Sequence, residues 1–485
     1  MEKVVHLLTL AGISLYWLTT AAITIRIITK RRAIGVSLAW MMVIFVVPLG
    51  GVIAYLMFGE LNLGRQRASR AREMFQPYSD WFHRLHKWRQ YQPGSLSRYS
   101  EAITSLCEHR MGIPALADNK LELLDTTDAI FSSLKNDINQ ASNSIDMEFY
   151  IWHPGGLADE TANALIEAAG RGVKVRILLD TAGSRTFFKS HWPKTLRDTG
   201  IKVAAALPVS PFRILFQRID LRLHRKIVVI DNTIAYTGSM NLVDPAFFKQ
   251  DAGVGQWIDV MVRLTGANAP VLASIQAWDW EAETSERQLP PPPVLDAHTQ
   301  VGIKDLVQVI PSGPGMPEAI IQQVLLQSIY QARRSITITT PYFVPSESLM
   351  LAMISAAQRG VDVRIIIPDK NDSLMVEWAS RSFFGELLRA GVKIFRFRGG
   401  LLHTKSVVID DRHALIGTVN LDMRSLWLNF EVTLAVEDSE FTANLAQLQR
   451  DYQEHAVQID AESWNSRRLH KRFAEQFFYW FSPLL

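Results

Sequence analysis

The chain has 485 residues, a formal net charge of +3 and a single cysteine, Cys107. That length predicts about two to four domains. A charge so near neutral excludes a chain that is basic throughout, as a general nucleic-acid binder would be. One cysteine excludes an internal disulfide, and no Cys/His cluster stands at zinc spacing.

The N-terminus reads as a membrane anchor. Val4 to Ile25 carries no Asp, Glu, Lys or Arg over roughly 22 residues, and Ala33 to Phe58 none over roughly 26, so each run is long enough to span. Tyr16, Trp17, Trp40 and Tyr55 suit interfacial or lipid-facing places. A signal peptide is the alternative for the first run, but no small-residue cleavage site separates it cleanly from the second. A buried soluble helix is the alternative for the second, and its length argues against it. The expectation is a two-helix transmembrane hairpin over residues 1–59. Arg26, Lys30, Arg31 and Arg32 lie between the runs, and Arg65, Arg67, Arg70 and Arg72 lie after them. The positive-inside rule is pulled both ways, so these charges do not assign a side.

Residues 60–120 form a basic and aromatic segment holding Trp81, Phe82, Arg84, Lys87, Trp88 and Arg89, expected to lie on anionic headgroups. A solvated linker helix is the alternative. An α/β pattern follows over 121–286. Ser144 to Ile151 is a strand, Asp159 to Arg171 a helix ended by Gly172, and Val173 to Asp180 the next strand. Residues 287–299, with Pro290 to Pro293, read as an exposed linker. The pattern then returns over 300–455. Ala356-Ala-Gln-Arg-Gly-Val-Asp-Val-Arg-Ile-Ile-Ile nearly repeats Ala168-Ala-Gly-Arg-Gly-Val-Lys-Val-Arg-Ile-Leu-Leu. A whole domain is therefore duplicated, with a mixed sheet covered by helices in each copy. The tail, 456–485, runs from Arg467-Arg468 and Lys471-Arg472 into Phe477-Phe-Tyr-Trp-Phe481 and is expected to be an interfacial helix.

Each copy holds the same polar string. The first is His224-Arg-Lys226 with Asp231 and then Gly238-Ser239-Met-Asn241. The second is His403-Thr-Lys405 with Asp410 and then Gly417-Thr418-Val-Asn420. The shared spacing, HxK-x4-D-x6-G[ST]xN, predicts strand, turn, strand. Alternation places His and Lys on one face, with the hydroxyl and amide returning beside them. An imidazole, an ammonium, a hydroxyl and an amide suit phosphate chemistry: three hold oxygens, and the imidazole attacks phosphorus or moves a proton. Asp231 and Asp410 belong to the motif. At about 3.3 Å per residue they lie over about 15 Å from the His end, so they read as turn and scaffold residues. Downstream carboxylates in similar contexts, Asp259 and Glu431, are expected to fix the imidazoles, Asp259 on His224 and Glu431 on His403. Arg213, Arg218 and Arg222 precede the first motif. Arg222 shares a strand face with His224 and is the best candidate for headgroup phosphate, with a plain surface charge as the alternative.

The paired HxKxxxxD motifs resemble those of the phospholipase D superfamily, in which two such halves form one active site about a pseudo-twofold axis. The layout of two spans and two motif-bearing halves ending in Ser-Pro-Leu-Leu is similar to that of the bacterial cardiolipin synthases, over essentially the whole chain. The resemblance implies catalytic His224, Lys226, Asp231, His403, Lys405 and Asp410, supported by Ser239, Asn241, Asp259, Thr418, Asn420, Glu431 and Arg222. It implies displacement without metal or cofactor, with His224 becoming a phosphohistidine and His403 serving as acid and base. It further implies that two phosphatidylglycerol molecules give cardiolipin and glycerol, at a multi-pass site in the bacterial inner membrane that takes anionic phospholipids and no nucleic acid. A phospholipase D-type hydrolase, or a phosphatidyltransferase using another donor or acceptor lipid, is the alternative. A superfamily nuclease fits a near-neutral chain with two spans poorly. A non-catalytic scaffold fits poorly with two intact motifs.

Overall fold

A computed structural model describes residues 1–30, 34–47, 49–60, 63–88, 96–208, 218–292 and 305–482. Contacts divide it into two units, residues 1–69 with 209–221, and 70–208 with 222–485.

In the first unit, α1 (Glu2–Thr29) is apolar on all sides and long enough to cross a membrane. The second apolar run is not one helix. It divides into α2 (Ile34–Val46) and α3 (Gly50–Phe58), with Leu49 between them at φ 57°. The sequence there is Val-Pro-Leu-Gly-Gly, and proline and paired glycine are the residues that end or kink a helix. The expected two-helix hairpin is thus shown in part: among the described residues one full-length span, α1, is followed by two shorter apolar helices. Ile23 and Ile27 of α1 pack on Ile44, Val52 and Tyr55. Glu60 accepts hydrogen bonds from Arg26 Nη2 (2.6 Å) and Lys30 Nζ (2.7 Å). Arg31 and Arg32 fall outside the described residues.

The chain passes into the second unit along α4 (Arg65–Leu85), followed by α5 (Arg98–Met111). Trp81, expected at headgroups, is 2% exposed, and its indole N–H donates to the Pro290 carbonyl at 2.8 Å. Leu85 is likewise buried and Tyr78 packs edge-on against Trp278. This apolar face covers protein. Pro290 is correspondingly buried, so the start of the expected exposed linker is docked; residues 293–304 lie outside the described residues.

The first half contains β1 (Asn119–Leu124), α6 (Thr127–Gln140), β2 (Ser144–Phe149), α7 (Leu157–Gly170), β3 (Lys174–Asp180), α8 (Arg185–Lys189), α9 (Trp192–Asp198) and β4 (Lys202–Ala206). It continues with β5 (Arg222–Leu223), β6 (Ile227–Ile230), β7 (Ile234–Gly238), β8 (Trp257–Ile258), β9 (Met261–Gly266) and α10 (Ala269–Thr284). The second half contains β10 (Leu306–Ser312), α11 (Ile320–Gln331), β11 (Ser335–Thr339), α12 (Glu347–Gln358), β12 (Asp362–Pro368), α13 (Leu374–Arg389), β13 (Lys393–Phe397) and β14 (Leu401–Leu402). It continues with β15 (Ser406–Ile409), β16 (His413–Gly417), α14 (Met423–Trp427), β17 (Asn429–Glu437), α15 (Ser439–Glu454), β18 (Ala456–Gln458), α16 (Ala461–Asn465) and α17 (Leu469–Tyr479).

The duplication is visible in the strand order. One sheet runs β1-β9-β7-β6-β2-β3-β4, and the other β10-β17-β16-β15-β11-β12-β13-β18. In each, three consecutive strands (β2-β3-β4 and β11-β12-β13) are parallel and the motif hairpin is antiparallel. Near-continuous apolar strands such as Ile227–Ile230 are buried on both faces, as a sheet covered on each side demands. Val229, Val262 and Leu264 of the first sheet share one buried cluster with Val309, Val408 and Leu434 of the second. The halves thus have a common core rather than a hydrated seam.

Two short strand pairs cross between the halves and position the site. β5 pairs in parallel with the start of β17, and β14 in parallel with β8.

Candidate active site

His224 directly follows β5, and its backbone N–H donates to the Phe430 carbonyl at 2.9 Å. His403 follows β14, and its N–H donates to the Ile258 carbonyl at 2.8 Å. Each histidine is therefore stitched to the opposite half, one residue short of that half's carboxylate. His224 Nδ1–H donates to Glu431 Oε2 at 2.8 Å, and His403 Nδ1–H donates to Asp259 Oδ1 at 2.6 Å. The expected pairing, Asp259 on His224 and Glu431 on His403, is corrected to its exchange. Holding Nδ1–H on a carboxylate leaves Nε2 of each ring as the free nitrogen.

Ser239 and Thr418 were expected on phosphate. Ser239 Oγ instead donates to Asp259 Oδ1 at 2.6 Å, and Thr418 Oγ1 to Glu431 Oε2 at 2.5 Å. Each hydroxyl also accepts a backbone N–H, from Val260 and Val432, both at 2.9 Å. A hydroxyl held this way aims the carboxylate that aims the histidine. Asn241 Oδ1 accepts from the Ile151 N–H at 3.1 Å. Asn420 hydrogen bonds Asp422.

Lys226 Nζ donates to the His224 carbonyl (2.7 Å), and Lys405 Nζ to the His403 carbonyl (2.5 Å). Both lysines are buried. Their charges reach across the halves. Lys405 acts on His224, Lys226 acts on His403, and both lysines feel Glu431 and Asp259. The two motifs therefore form one electrostatic cluster.

Burial dominates its ionisation. It pushes His224 and His403 down to about 4, outweighing Glu431 and Asp259 respectively. It also pulls Lys226 down to about 8 and Lys405 to about 7. Burial lifts the carboxylates, but the neighbouring histidine and lysine charges outweigh it, and Asp259 and Glu431 both end lower than usual. The resting site thus holds neutral imidazoles between carboxylates and ammonium groups of moderate acidity.

Asp231 and Asp410 stand at the hairpin tips, as their spacing predicts. Asp231 accepts from the backbone N–H groups of Ser142, Asn143 and Ser144 at 2.9, 2.7 and 2.8 Å. Asp410 does the same for Arg333, Arg334 and Ser335 at 2.9, 2.6 and 2.9 Å, and also accepts from Tyr99. Both have positive φ, 51° and 54°. These carboxylates tie each motif hairpin to the start of β2 or β11.

Arg222 lies beside Tyr150, to which it is hydrogen bonded, and its charge reaches Asp180. Arg218 pairs with Asp220 at 2.6 Å. Arg213 is outside the described residues. Several neighbours carry no repeated sequence signal. Tyr150 packs 5.1 Å from the His224 ring, and Trp257 4.4 Å from the His403 ring. Arg225, the variable motif position, is fully buried; it donates to the Glu431 carbonyl (3.0 Å) and pairs with Asp279. Lys249 of the first half pairs with Asp372 of the second at 2.8 Å and sits 5.2 Å over Trp257. A charged residue inside an otherwise fixed HxK string was the one available signal, for Arg225. Asp422, which the second copy alone carries, caps α14 by accepting the Ser425 N–H at 2.7 Å, and burial pushes it up to about 6. The two halves are thus unequal around a common plan.

Residues 134–259 and 325–452 each match the family described as "Cardiolipin synthase, PLD-like domain". Residues 12–60 match a phospholipase D-nuclease N-terminal family. The chain is 53% identical over 473 residues to cardiolipin synthase A of Yersinia pseudotuberculosis serotype O:1b (strain IP 31758), covering 97% of each chain. It is equally similar to cardiolipin synthase A of Yersinia pestis bv. Antiqua (strain Angola). Among solved structures, phosphatidylserine synthase from Haemophilus influenzae Rd KW20 superposes with a TM-score of 0.57 at 15% identity, covering 80% of this chain and 98% of that one. That likeness is one of fold.

Proposed function

The chain belongs to the cardiolipin synthase family with paired phospholipase D-like domains, and from that premise we propose that it is a membrane phosphatidyltransferase joining two phosphatidylglycerol molecules into cardiolipin with release of glycerol. The observation that carries the reading is the crossed pair of histidine–carboxylate contacts, His224–Glu431 and His403–Asp259, set among two lysines in one buried cluster.

That geometry supports the following steps. The phosphodiester of the first lipid enters the cluster, where Lys226 and Lys405 offset its charge. That added negative charge favours an imidazolium, so His403 takes up a proton. His224 Nε2 attacks phosphorus. The bond from phosphorus to the glycerol oxygen breaks, and His403 gives that oxygen its proton. Phosphatidyl-His224 and free glycerol result. In the second step His403 takes the proton from a terminal hydroxyl of the second phosphatidylglycerol. The hydroxyl oxygen attacks phosphorus and the phosphorus–nitrogen bond breaks, which leaves His224 neutral and His403 an imidazolium that releases its proton as the product leaves. Glu431 and Asp259 hold the tautomers throughout. Water competes with the lipid hydroxyl, and a buried site beside lipid favours the hydroxyl.

The chain is a membrane protein. We assign it to the bacterial inner membrane, crossing at α1 (Glu2–Thr29) and seated again through α2 and α3. The deciding experiment incubates the full chain, in membranes, with phosphatidylglycerol labelled in its headgroup glycerol and acyl chains. Cardiolipin and labelled glycerol are expected in equal amounts. Phosphatidic acid as the main product would assign the hydrolase instead.

A further inference from the structure

α17 is amphipathic in the reverse sense for a helix packed on a protein. Leu469, Phe473, Phe477 and Trp480 recur at helical spacing on one face and are 80%, 75%, 53% and 80% exposed. The opposite face holds the helix down through polar and aromatic contacts. Glu475 is 3% exposed and receives Arg381 at 3.2 Å and Arg467 at 2.7 Å. Phe478 stacks on Trp378 at 6.3 Å, and Tyr479 meets Phe383 at 5.4 Å. Arg468, His470, Lys471 and Arg472 are exposed beside the apolar stripe. Glu475 is the helix's single carboxylate, and it is buried and paired, so the outer surface presents only neutral and basic groups.

We propose that α17 is a second, peripheral lipid contact. Its Leu469–Phe473–Phe477–Trp480 face enters the interface of an anionic bilayer, and Arg468, Lys471 and Arg472 meet headgroup phosphates. An apolar stripe with basic flanks is the composition that binds anionic lipid surfaces. The charge is what selects this occupant over a second copy of the chain, because two such faces brought together would oppose like charges. The Glu475 clamp fixes the helix with its apolar side outward before any lipid arrives, so little ordering accompanies contact. The proposal concerns a surface separate from the histidine cluster and stands or falls apart from the reaction assigned to it.

The test uses the full chain reconstituted in vesicles, with Phe477→Cys carrying an environment-sensitive fluorophore. Cys107, the native cysteine, is buried and stays unlabelled. In vesicles containing phosphatidylglycerol the label is expected to be quenched by bromine on the lipid acyl chains and shielded from aqueous iodide. Arg468→Glu, Lys471→Glu and Arg472→Glu combined are expected to reverse that preference, as is phosphatidylcholine alone. These changes leave the Glu475 clamp in place, and unchanged resistance to protease verifies the fold. Iodide quenching in anionic vesicles as strong as in detergent overturns the proposal. So does shielding that vanishes as protein is diluted in lipid, since that assigns the face to a second copy.

Discussion

Glu431 and Asp259 are each borrowed by the histidine of the other half, and this crossing makes the two histidines separable by experiment. His224→Ala and His403→Ala are both expected to lower cardiolipin formation from natural phosphatidylglycerol by about 10²–10⁴-fold, with normal membrane insertion. A donor whose leaving group is nitrophenolate needs no protonation. With it, release of nitrophenolate is expected to recover in His403→Ala and in Asp259→Asn, but not in His224→Ala or Glu431→Gln. Recovery in the opposite pair would reverse the assignment of nucleophile and acid. The lysines are expected to steepen the loss of activity at alkaline pH. Burial lowers Lys405 to about 7 and Lys226 to about 8, so the charge that meets phosphate is present below these values and lost as pH rises through them. His224 must be neutral to attack, and at about 4 it limits only the acid side. Because His403 must take up a proton, kcat/KM is expected to slope downward toward alkaline pH, to fall more steeply above about 7–8 as the lysines lose charge, and to fall below about 4 as His224 is protonated. Lys405→Arg is expected to carry the alkaline limb upward, because guanidinium stays charged. An alkaline limb unmoved in that variant would remove Lys405 from phosphate binding.

The elements explain which parts of this site were readable from sequence. The motif hairpins were, because Ile227–Ile230 and Ser406–Ile409 are apolar strands followed by Asp-rich tips in both copies. The role of Asp231 and Asp410 followed from strand rise alone. The histidine–carboxylate pairing did not, because it is set by β5–β17 and β8–β14, in which the short strands are two residues long. A two-residue strand has no period to detect, so proximity in the chain suggested pairing within each half. The placement of the α4 aromatics was hidden for a related reason. Its aromatics and arginines have the composition of an interfacial helix, and only tertiary contact shows Trp81 and Tyr78 turned onto protein. At the hairpin tip, Asp410 satisfies three backbone N–H groups while 2% exposed. Asp410→Ala should cost about 1–3 kcal/mol of stability, the penalty for buried donors left without acceptors. A lowered Tm, with turnover per folded molecule close to that of the parent, is the expected result. Loss of turnover at unchanged Tm would make Asp410 a participant in the chemistry.

At the scale of the whole second unit, each half's histidine is held by a carboxylate of the other. The duplication was plain in the sequence, from the repeated motif to the matched Ala168 and Ala356 segments. What it could not convey is that the halves exchange backbone strands and bury one core, with Val229 and Leu264 packed among Val309 and Leu434. Arg225 adds a buried tie, reaching from the first motif to the Glu431 carbonyl and to Asp279. Such an interface resembles a domain core more than a contact between mobile domains. The covalent connection between the halves should then be dispensable once folding is complete. A protease site placed within residues 293–304 and cleaved in the folded, membrane-embedded protein is expected to leave cardiolipin synthesis intact and the two fragments associated in mild detergent. Either half expressed alone is expected to be inactive even though it carries a complete HxK motif, because its imidazole lacks its carboxylate. Activity from a single half would require a histidine to be served by its own half's acid, the arrangement that His224–Glu431 and His403–Asp259 contradict.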